Sequence, residues 1–343
     1  MDLVPVVGPA ARDSHRHGRG LMAVRVVIAG GSGYLGRALA SAARARGAEV
    51  VVLTRSPRPG AAHRQVGWDG RSPGPWTAEL EGEDVRVANL AGRLVDCRPT
   101  AANIAELRSS RVEATSALVA ASRQASRPVR HWLQASTTAI WSDGGHARLT
   151  ESSPVPDVPP GLPQMTGVAA PWEAAVTGAH AEHLRILRTS IVLGGHSPVL
   201  SRLMLPVRLG LGGPIAGGRQ WFSWIHLADW LTMACAALGL EETVTLPDGV
   251  LVAAAPHPVT NAELMAGMRR ALRRPAWAPP TPAPLLRAAA VVLRTDPALA
   301  STGRHATSER LEGTGFTFRH PHLDGALAAL HEPAGPARPA GHH

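Results

Sequence analysis

Val24-Arg25-Val26-Val27-Ile28-Ala29-Gly30-Gly31-Ser32-Gly33-Tyr34-Leu35-Gly36 is the segment on which the reading of this chain turns. Val24–Ala29 is a short β-branched run that ends in glycines, the pattern of a strand buried on both faces. Leu35–Arg46 follows at helical spacing and is stopped by Gly47, and Val50–Leu53 is a second apolar strand. Strand, glycine turn, helix and strand make a βαβ unit. Gly30, Gly33 and Gly36 spell G-x-x-G-x-x-G inside the turn. Glycine is needed there on steric grounds: the turn is tight, a diphosphate approaches the main chain, and the helix packs closely on the strand. The first helical turn then offers free N–H groups to an anion. In this context the motif predicts a dinucleotide site, with Gly30, Ser32, Gly33, Tyr34, Leu35 and Gly36 around the diphosphate. A tight βα turn without a ligand is the other reading of the same glycines.

The end of the second strand decides which dinucleotide. An acid there would bind a ribose diol and favour NAD. This chain has Thr54-Arg55-Ser56 instead, and Glu49 lies at the wrong end of the strand. Arg55 can pair with a 2′-phosphate and Ser56 can add a donor, so the expected cofactor is NADP(H). Arg37 is either a second phosphate contact or a helix-surface charge.

Further along, Val85–Leu90, Val129–Gln134 and Leu184–Leu193 read as strands, and Ala101–Ser122 and Ala169–Ala181 as helices. Gly67-Trp68-Asp69 reads as loop. The alternation implies an α/β fold of Rossmann type, a doubly wound parallel sheet with a smaller C-terminal substrate-binding cap. Beyond Gly194, apolar pieces are broken by Gly and Pro, with helices at Leu227–Leu238, Asn261–Arg273 and Ala326–Leu330. The expected organisation is a disordered leader (1–22), an NADP-binding domain (23–194) whose sheet later segments can complete, the cap and C-terminal segment (195–331), and a flexible tail (332–343).

A chain of 343 residues, 45% hydrophobic, can bury a sizeable core. No apolar run approaches the ~20 residues of a membrane span, and the leader lacks the apolar core of a secretory signal. The net charge of +9 comes from arginine alone, since lysine is absent, and the charges are not clustered with aromatics. Nucleic acid is therefore not an expected partner. Cys97 and Cys235 stand apart without metal spacing and fit idle thiols in a reducing cytoplasm. His180 and His183 read as a helical surface pair, and no metal site is expected. The expected partner is a small-molecule substrate, with a homodimer as the protein assembly considered.

GGSGYLG, Asn89-Leu90-Ala91-Gly92, Ser110–Thr115, Thr150-Glu151, Trp172-Glu173, Leu187–Gly194, Gly218–His226 and Pro258–Glu263 run along nearly the whole chain. With these pieces the sequence resembles the extended short-chain dehydrogenase/reductases, and within them the atypical "epimerase family" with its distinctive C-terminal segment. The resemblance implies a cofactor lying across the strand ends. Leu90, Ala91 and Gly92 would border the adenosine, Ser136 and Thr137 the nicotinamide ribose and reacting carbon, and Ile191 the nicotinamide. Arg111 is either a helix-surface charge or a residue near the cofactor.

Ordinary members of that superfamily use a tyrosine, assisted by a lysine four residues on, because free phenol has a pKa of ~10. Here the only tyrosine is Tyr34, inside the glycine turn, and lysine is absent, so the dyad is excluded. The region that would carry it, Met165–Glu173, reads MTGVAAPWE. Three other residues are candidates for the chemistry. Thr137 matches the hydroxyl that polarises the substrate carbonyl, with a strand-end cap as its plain alternative. Glu173 is an acid or base if its pocket is dry, or else a salt-bridged carboxylate. His226 is a proton carrier or a structural histidine. Glu151 is a weaker candidate, and Trp141, Trp221 and Trp224 are candidates to wall the substrate. The leading expectation is an NADPH-dependent oxidoreductase without a Tyr-Lys dyad. The alternatives are a non-redox epimerase, dehydratase or cyclase, or a non-catalytic NADP-binding sensor.

Overall fold

The structure, a computed structural model, describes residues 24–330 apart from His196 and Leu293. The leader expected over 1–22 and the tail expected over 332–343 lie outside the described residues. The first half runs β1 (Arg25–Ala29), α1 (Tyr34–Ala45), β2 (Glu49–Thr54), β3 (Arg64–Gly67), β4 (Val85–Asn89), α2 (Ala101–Gln124), β5 (Val129–Thr137), β6 (Arg148–Leu149), α3 (Thr166–Ala174), β7 (Ala181–Thr189) and β8 (Ile191–Leu193). The second runs α4 (Pro198–Arg208), β9 (Trp221–Phe222), β10 (Trp224–His226), α5 (Leu227–Ala237), β11 (Gly249–Ala253), β12 (Val259–Thr260), α6 (Asn261–Ala271), α7 (Ala283–Val292), α8 (Ala298–Ser301), β13 (His305–Ala306) and α9 (Leu323–Ala329).

Seven strands form one parallel sheet in the order β11-β7-β5-β4-β1-β2-β3. The order reverses between β1 and β4, which opens a crevice at their carboxyl ends. The sequence of β1 explains its central place. Val26 and Ile28 pack on one face with Leu39 and Ala43 of α1 and Trp230 and Met233 of α5. Val27 and Ala29 pack on the other with Ala114 and Leu118 of α2 and Trp132 of β5. Alternate residues thus bury on opposite faces, each large apolar side chain contributing ~1.5–3 kcal/mol. β11 comes from the later half of the chain and completes the sheet beside β7. The cap closes on a separate core of Leu200, Met204, Trp224, Leu264, Met268 and Leu327. A capping box, Thr260 with Glu263, starts α6.

Three local expectations need correction. Arg64–Gly67, read as leading into a loop, is a half-buried edge strand. Leu184–Leu193 is two strands, β7 and β8, in different sheets. They part at Ser190, whose N–H and hydroxyl both donate to the Ala253 carbonyl, at 3.0 and 2.8 Å. The helix read over Ala169–Ala181 stops at Ala174, and Gly178 turns at a φ of 78°. His183 therefore lies in β7, with Nδ1 3.1 Å from Asp248, and not on a helix with His180.

Candidate active site

The glycine turn leaves β1 at the switch point and meets the exit of β4. Gly30 has a φ of 78°, and a Cβ there would lie 2.5 Å from the Leu90 carbonyl oxygen. At Gly36 a Cβ would lie 2.3 Å from the Gly30 oxygen. No side chain fits at either place. Gly33 caps α1, and its carbonyl accepts the first helical bond from the Arg37 N–H at 3.0 Å. The amides of Tyr34, Leu35 and Gly36 precede that bond and find no protein acceptor among the described residues. The first turn carries no acid. A side-chain-free cradle of amide donors at a helix start fits a diphosphate. Arg37 donates to the Ser32 carbonyl and so braces the turn. The Tyr34 hydroxyl is buried without a partner among the described residues, and burial raises its pKa. It reaches the exit of β8, where a Cβ on Gly194 would lie 2.0 Å from it.

Arg55 is exposed at the end of β2 and lines a cavity of about 550 Å³ with Trp68, Asp69, Ser72 and Trp76. Ser56 is exposed beside it. The Asp69 carboxylate in that cavity accepts the N–H groups of Arg71 and Ser72 on its Oδ1, at 2.8 and 2.9 Å, and makes no ion pair with Arg55 among the described residues. The bonds from Ser72 and Arg71 hold its pKa below the ordinary value.

At the end of β4, Asn89 is fully buried. Its Nδ2 donates to Thr115 Oγ1 at 2.9 Å and Gln134 Oε1 at 3.0 Å, and its Oδ1 accepts the Ala91 N–H at 3.2 Å. This network shapes Leu90-Ala91-Gly92. Arg111 lies beneath the same loop: it donates to the carbonyls of Leu107 and Arg93 at 2.9 and 2.8 Å and sits 5.1 Å over the Trp172 ring. A Cβ on Gly92 would come within 3.0 Å of its guanidinium carbon. Burial pushes the pKa of Arg111 down to about 10. It is a buried support of the strand exit, not a surface charge.

Thr137 ends β5, and its Oγ1 accepts the Ala139 N–H at 3.1 Å, capping the short 3-10 turn Thr138–Trp141. Its own O–H is not used by that bond. Of the two readings of Glu173, the structure shows the salt-bridged carboxylate. Arg188 grips both of its oxygens, Nε to Oε1 at 2.9 Å and Nη2 to Oε2 at 2.8 Å. The Ser136 hydroxyl donates to Oε1 at 2.5 Å. The arginine in turn lies 5.0 Å over the Trp141 ring. Glu173 is thus a paired anion that ties α3 to β5 and β7. His226 takes the structural side of its two readings. Its Nδ1 accepts the Ala228 N–H at 3.2 Å and caps α5. Burial, then the neighbouring His320 and Arg319, push its pKa down to about 4.

The three tryptophans diverge. Trp141 is buried beneath Arg188, and Trp224, with no exposed surface, belongs to the cap core, so neither presents a wall to a substrate. Trp221 is half-buried and stacks on His305 with centroids 4.2 Å apart. Ile191 is half-buried in β8 and pairs with Trp224 in β10. Glu151 accepts the Val252 N–H at 2.7 Å, the Ser308 hydroxyl at 2.5 Å and the Glu309 N–H at 2.9 Å, stapling the C-terminal segment to the sheet. Among the described residues, no three His, Cys, Asp or Glu side chains gather as for a metal ion, and no helix is long and apolar enough to cross a membrane. Sequence reading missed Arg188. Its only signal was a basic residue inside an apolar strand run, Leu187-Arg188-Thr189.

The model of the NAD dependent epimerase/dehydratase family matches residues 26–252, and a domain of unknown function, DUF1731, matches residues 281–330. The chain belongs to the NAD dependent epimerase/dehydratase family. It is similar to epimerase family protein SDR39U1 of Bos taurus, at 32% identity over 309 residues, which covers 89% of this chain and 98% of that protein. Epimerase family protein YfhF of Bacillus subtilis is 28% identical over 313 residues, covering 90% and 98% of the two chains. The crystal structure of human epimerase family protein SDR39U1 (isoform 2) with NADPH is 31% identical, with a TM-score of 0.76, covering 90% of this chain and 99% of that one. The family resemblance read from the motifs and the NAD(P)-type Rossmann fold therefore hold.

Proposed function

We propose that this protein is an NADPH-dependent oxidoreductase that acts on a small organic molecule without a Tyr-Lys dyad. The observation that carries the reading is the pairing of a glycine cradle of free amides with the exposed Arg55 at the end of β2. The NADPH in the human relative's structure supports the same choice. The amides of Tyr34, Leu35 and Gly36 would hold the diphosphate. Arg55 and Ser56 would take the 2′-phosphate, and Leu90–Gly92 would flank the adenosine. Bound in this way, the reduced nicotinamide supplies a hydride. Thr137, its oxygen already fixed by the Ala139 amide, would donate its hydroxyl proton in a hydrogen bond to the substrate carbonyl. With Glu173 paired and His226 capping a helix, the proton for the reduced product would come from solvent.

The test is calorimetric titration of NADPH and NADH into the wild type and the Arg55→Glu variant, followed by turnover with small carbonyl compounds. The expected result is preference for NADPH in the wild type and loss of that preference in the variant. Binding of neither nucleotide by folded protein, or turnover without consumption of reduced cofactor, would overturn the reading.

A further inference from the structure

Most deeply packed arginines of this protein engage at least two of their guanidinium nitrogens, although Arg188 leaves its Nη1 without a partner among the described residues. Arg86 pairs with Asp84, Arg185 with Asp248 and Arg188 with Glu173. Arg111 donates to two carbonyls, and Arg269 donates to those of Ala276 and Gly212. Arg304, in the C-terminal segment just before β13, is the exception. Only its Nη1 is engaged, by the Ser142 carbonyl at 2.5 Å, Thr302 Oγ1 at 3.3 Å and Met165 Sδ at 3.6 Å. Hydroxyl and thioether are weak acceptors for a guanidinium. No carboxylate reaches it within ion-pair distance among the described residues. Asp143, whose charge acts on Arg304 from beyond ion-pair distance, accepts the Gly303 N–H at 3.1 Å. Protein surrounds the side chain closely enough that burial pushes its pKa down to about 10, yet the residue keeps part of its surface accessible. Among the described residues Nε and Nη2 have no protein partner, and neither is a sealed polar atom, which leaves this edge of the fork free to receive a ligand.

The position of this charge is as informative as its solitude. Ser142 follows the 3-10 turn that Thr137 caps and holds a φ of 55°, a backbone state that favours glycine. Its hydroxyl is locked by Thr166 at 2.7 Å and the Leu162 N–H at 2.7 Å. Met165 immediately precedes α3, within the stretch where the superfamily's dyad would lie. From the cap side, the Trp221 carbonyl accepts the Arg304 N–H at 3.1 Å, and the Ser223 hydroxyl donates to the Arg304 carbonyl at 2.6 Å. The guanidinium is therefore held between the exit of β5, the start of α3 and the cap.

We propose that Arg304 is a substrate-docking residue whose free Nε–Nη2 edge receives an oxyanion, carboxylate or phosphoryl, of the molecule that enters beside the nicotinamide end of the crevice. Two parallel N–H donors on a planar fork match two oxygens of such a group. An unpaired charge in such a packed place is costly until an anion arrives, which makes the empty fork selective for anionic substrates. The inference deepens the oxidoreductase reading and rests on it for the position of the crevice.

The experiment uses the NADPH-loaded protein at constant ionic strength, titrated calorimetrically with acetate, inorganic phosphate and neutral acetamide. Wild type, Arg304→Met and Arg304→Lys are compared, and NADPH affinity is measured on the same samples. The expected result is one anion site in the wild type, filled by acetate or by phosphate but not by acetamide, and weakened about tenfold or more by Arg304→Met. Arg304→Lys keeps the charge but loses the fork, so its affinity falls between the two; it carries the test should Arg304→Met not fold. Equal anion binding in wild type and variant, no anion binding while NADPH still binds, or anions that displace NADPH would each overturn the docking role. Failure of NADPH itself to bind would overturn the cofactor reading instead.

Discussion

Replacing Glu173 by Gln separates a structural carboxylate from a catalytic one. The side chains of Glu173 and Arg188 are only 12% and 7% exposed, and their two hydrogen bonds are 2.8 and 2.9 Å long. That degree of burial removes the pair from the surface class, where ion pairs contribute at most ~1 kcal/mol. Gln at 173 leaves the guanidinium of Arg188 buried over Trp141 without a counter-charge, and one of its nitrogens, Nη1, already has no partner. Breaking a buried pair on one side costs about 3–5 kcal/mol, which for a chain of this size lowers Tm by about 4–8 °C. The double variant Glu173→Met with Arg188→Met removes both charges and keeps apolar volume, so it should recover most of the loss. The assay is a thermal and urea unfolding series on wild type, Glu173→Met, Arg188→Met and the double, read as a mutant cycle, with Glu173→Gln measured beside them. A Glu173→Gln protein that melts within about 2 °C of wild type but loses turnover would refute this reasoning and return Glu173 to the proton chemistry.

Gly36→Ala drives a Cβ to 2.3 Å from a backbone oxygen, whereas at Gly33 the nearest atom is 3.3 Å away. The first should cost about 1–3 kcal/mol and abolish nucleotide binding, the second much less; equal NADPH affinity in both variants by titration would contradict this. Tyr34→Phe removes a buried hydroxyl without a partner and should raise the stability of the nucleotide-free protein by about 1 kcal/mol in urea unfolding; a loss of stability would count against it. His226 is held near a pKa of about 4, against 6.5 ordinarily, so above the ordinary value it is neutral in both states. As pH falls through that window, the unfolded chain takes the proton first and stability drops. His226→Asn keeps a capping acceptor and cannot titrate. It should match wild type near pH 7.5 and exceed it by roughly 1–2 kcal/mol near pH 5, after discounting for partial exposure; parallel stability curves for the two proteins would show the cap is not the titrating group.

The cofactor half of the crevice is legible in sequence because backbone geometry demands it. Gly30 and Gly36 are required by atoms only a few residues away or on the adjoining strand, and Arg55 sits at a fixed distance along the next strand. The catalytic half is not legible in the same way. Whether Glu173 meets solvent or an arginine depends on a strand fifteen positions later, and Glu151 takes its partners from Val252, Ser308 and Glu309. The motif quotes both carboxylates but carries no sign of who faces them. Edge strand β3, four residues with two half-buried between two exposed, escapes sequence reading because a short exposed strand has no hydrophobic run to announce it.

The same contrast bears on how a fold deprived of its usual acid can still hold a reactive crevice. Lysine is absent from the chain, so a cation beside the substrate must be arginine, whose charge persists even when burial lowers its pKa to about 10. The C-terminal segment brings one from outside: Glu151 staples that segment at Ser308 and Glu309, Ser223 fixes its backbone at Arg304, and the side chain arrives at Met165 from the cap. The Ser223 and Ser308 bonds are part-buried and the Glu309 bond is exposed, so loosening the part-buried ones should move the charge. Ser223→Ala therefore tests the arrangement without touching the arginine itself, because it removes the bonds to the Arg304 carbonyl and from the Ala306 N–H. Anion affinity should fall in that variant while NADPH affinity, set at the far end of the crevice by the glycine turn and Arg55, stays at the wild-type value; a parallel loss of both would show that the cap holds the whole crevice open and not the guanidinium alone.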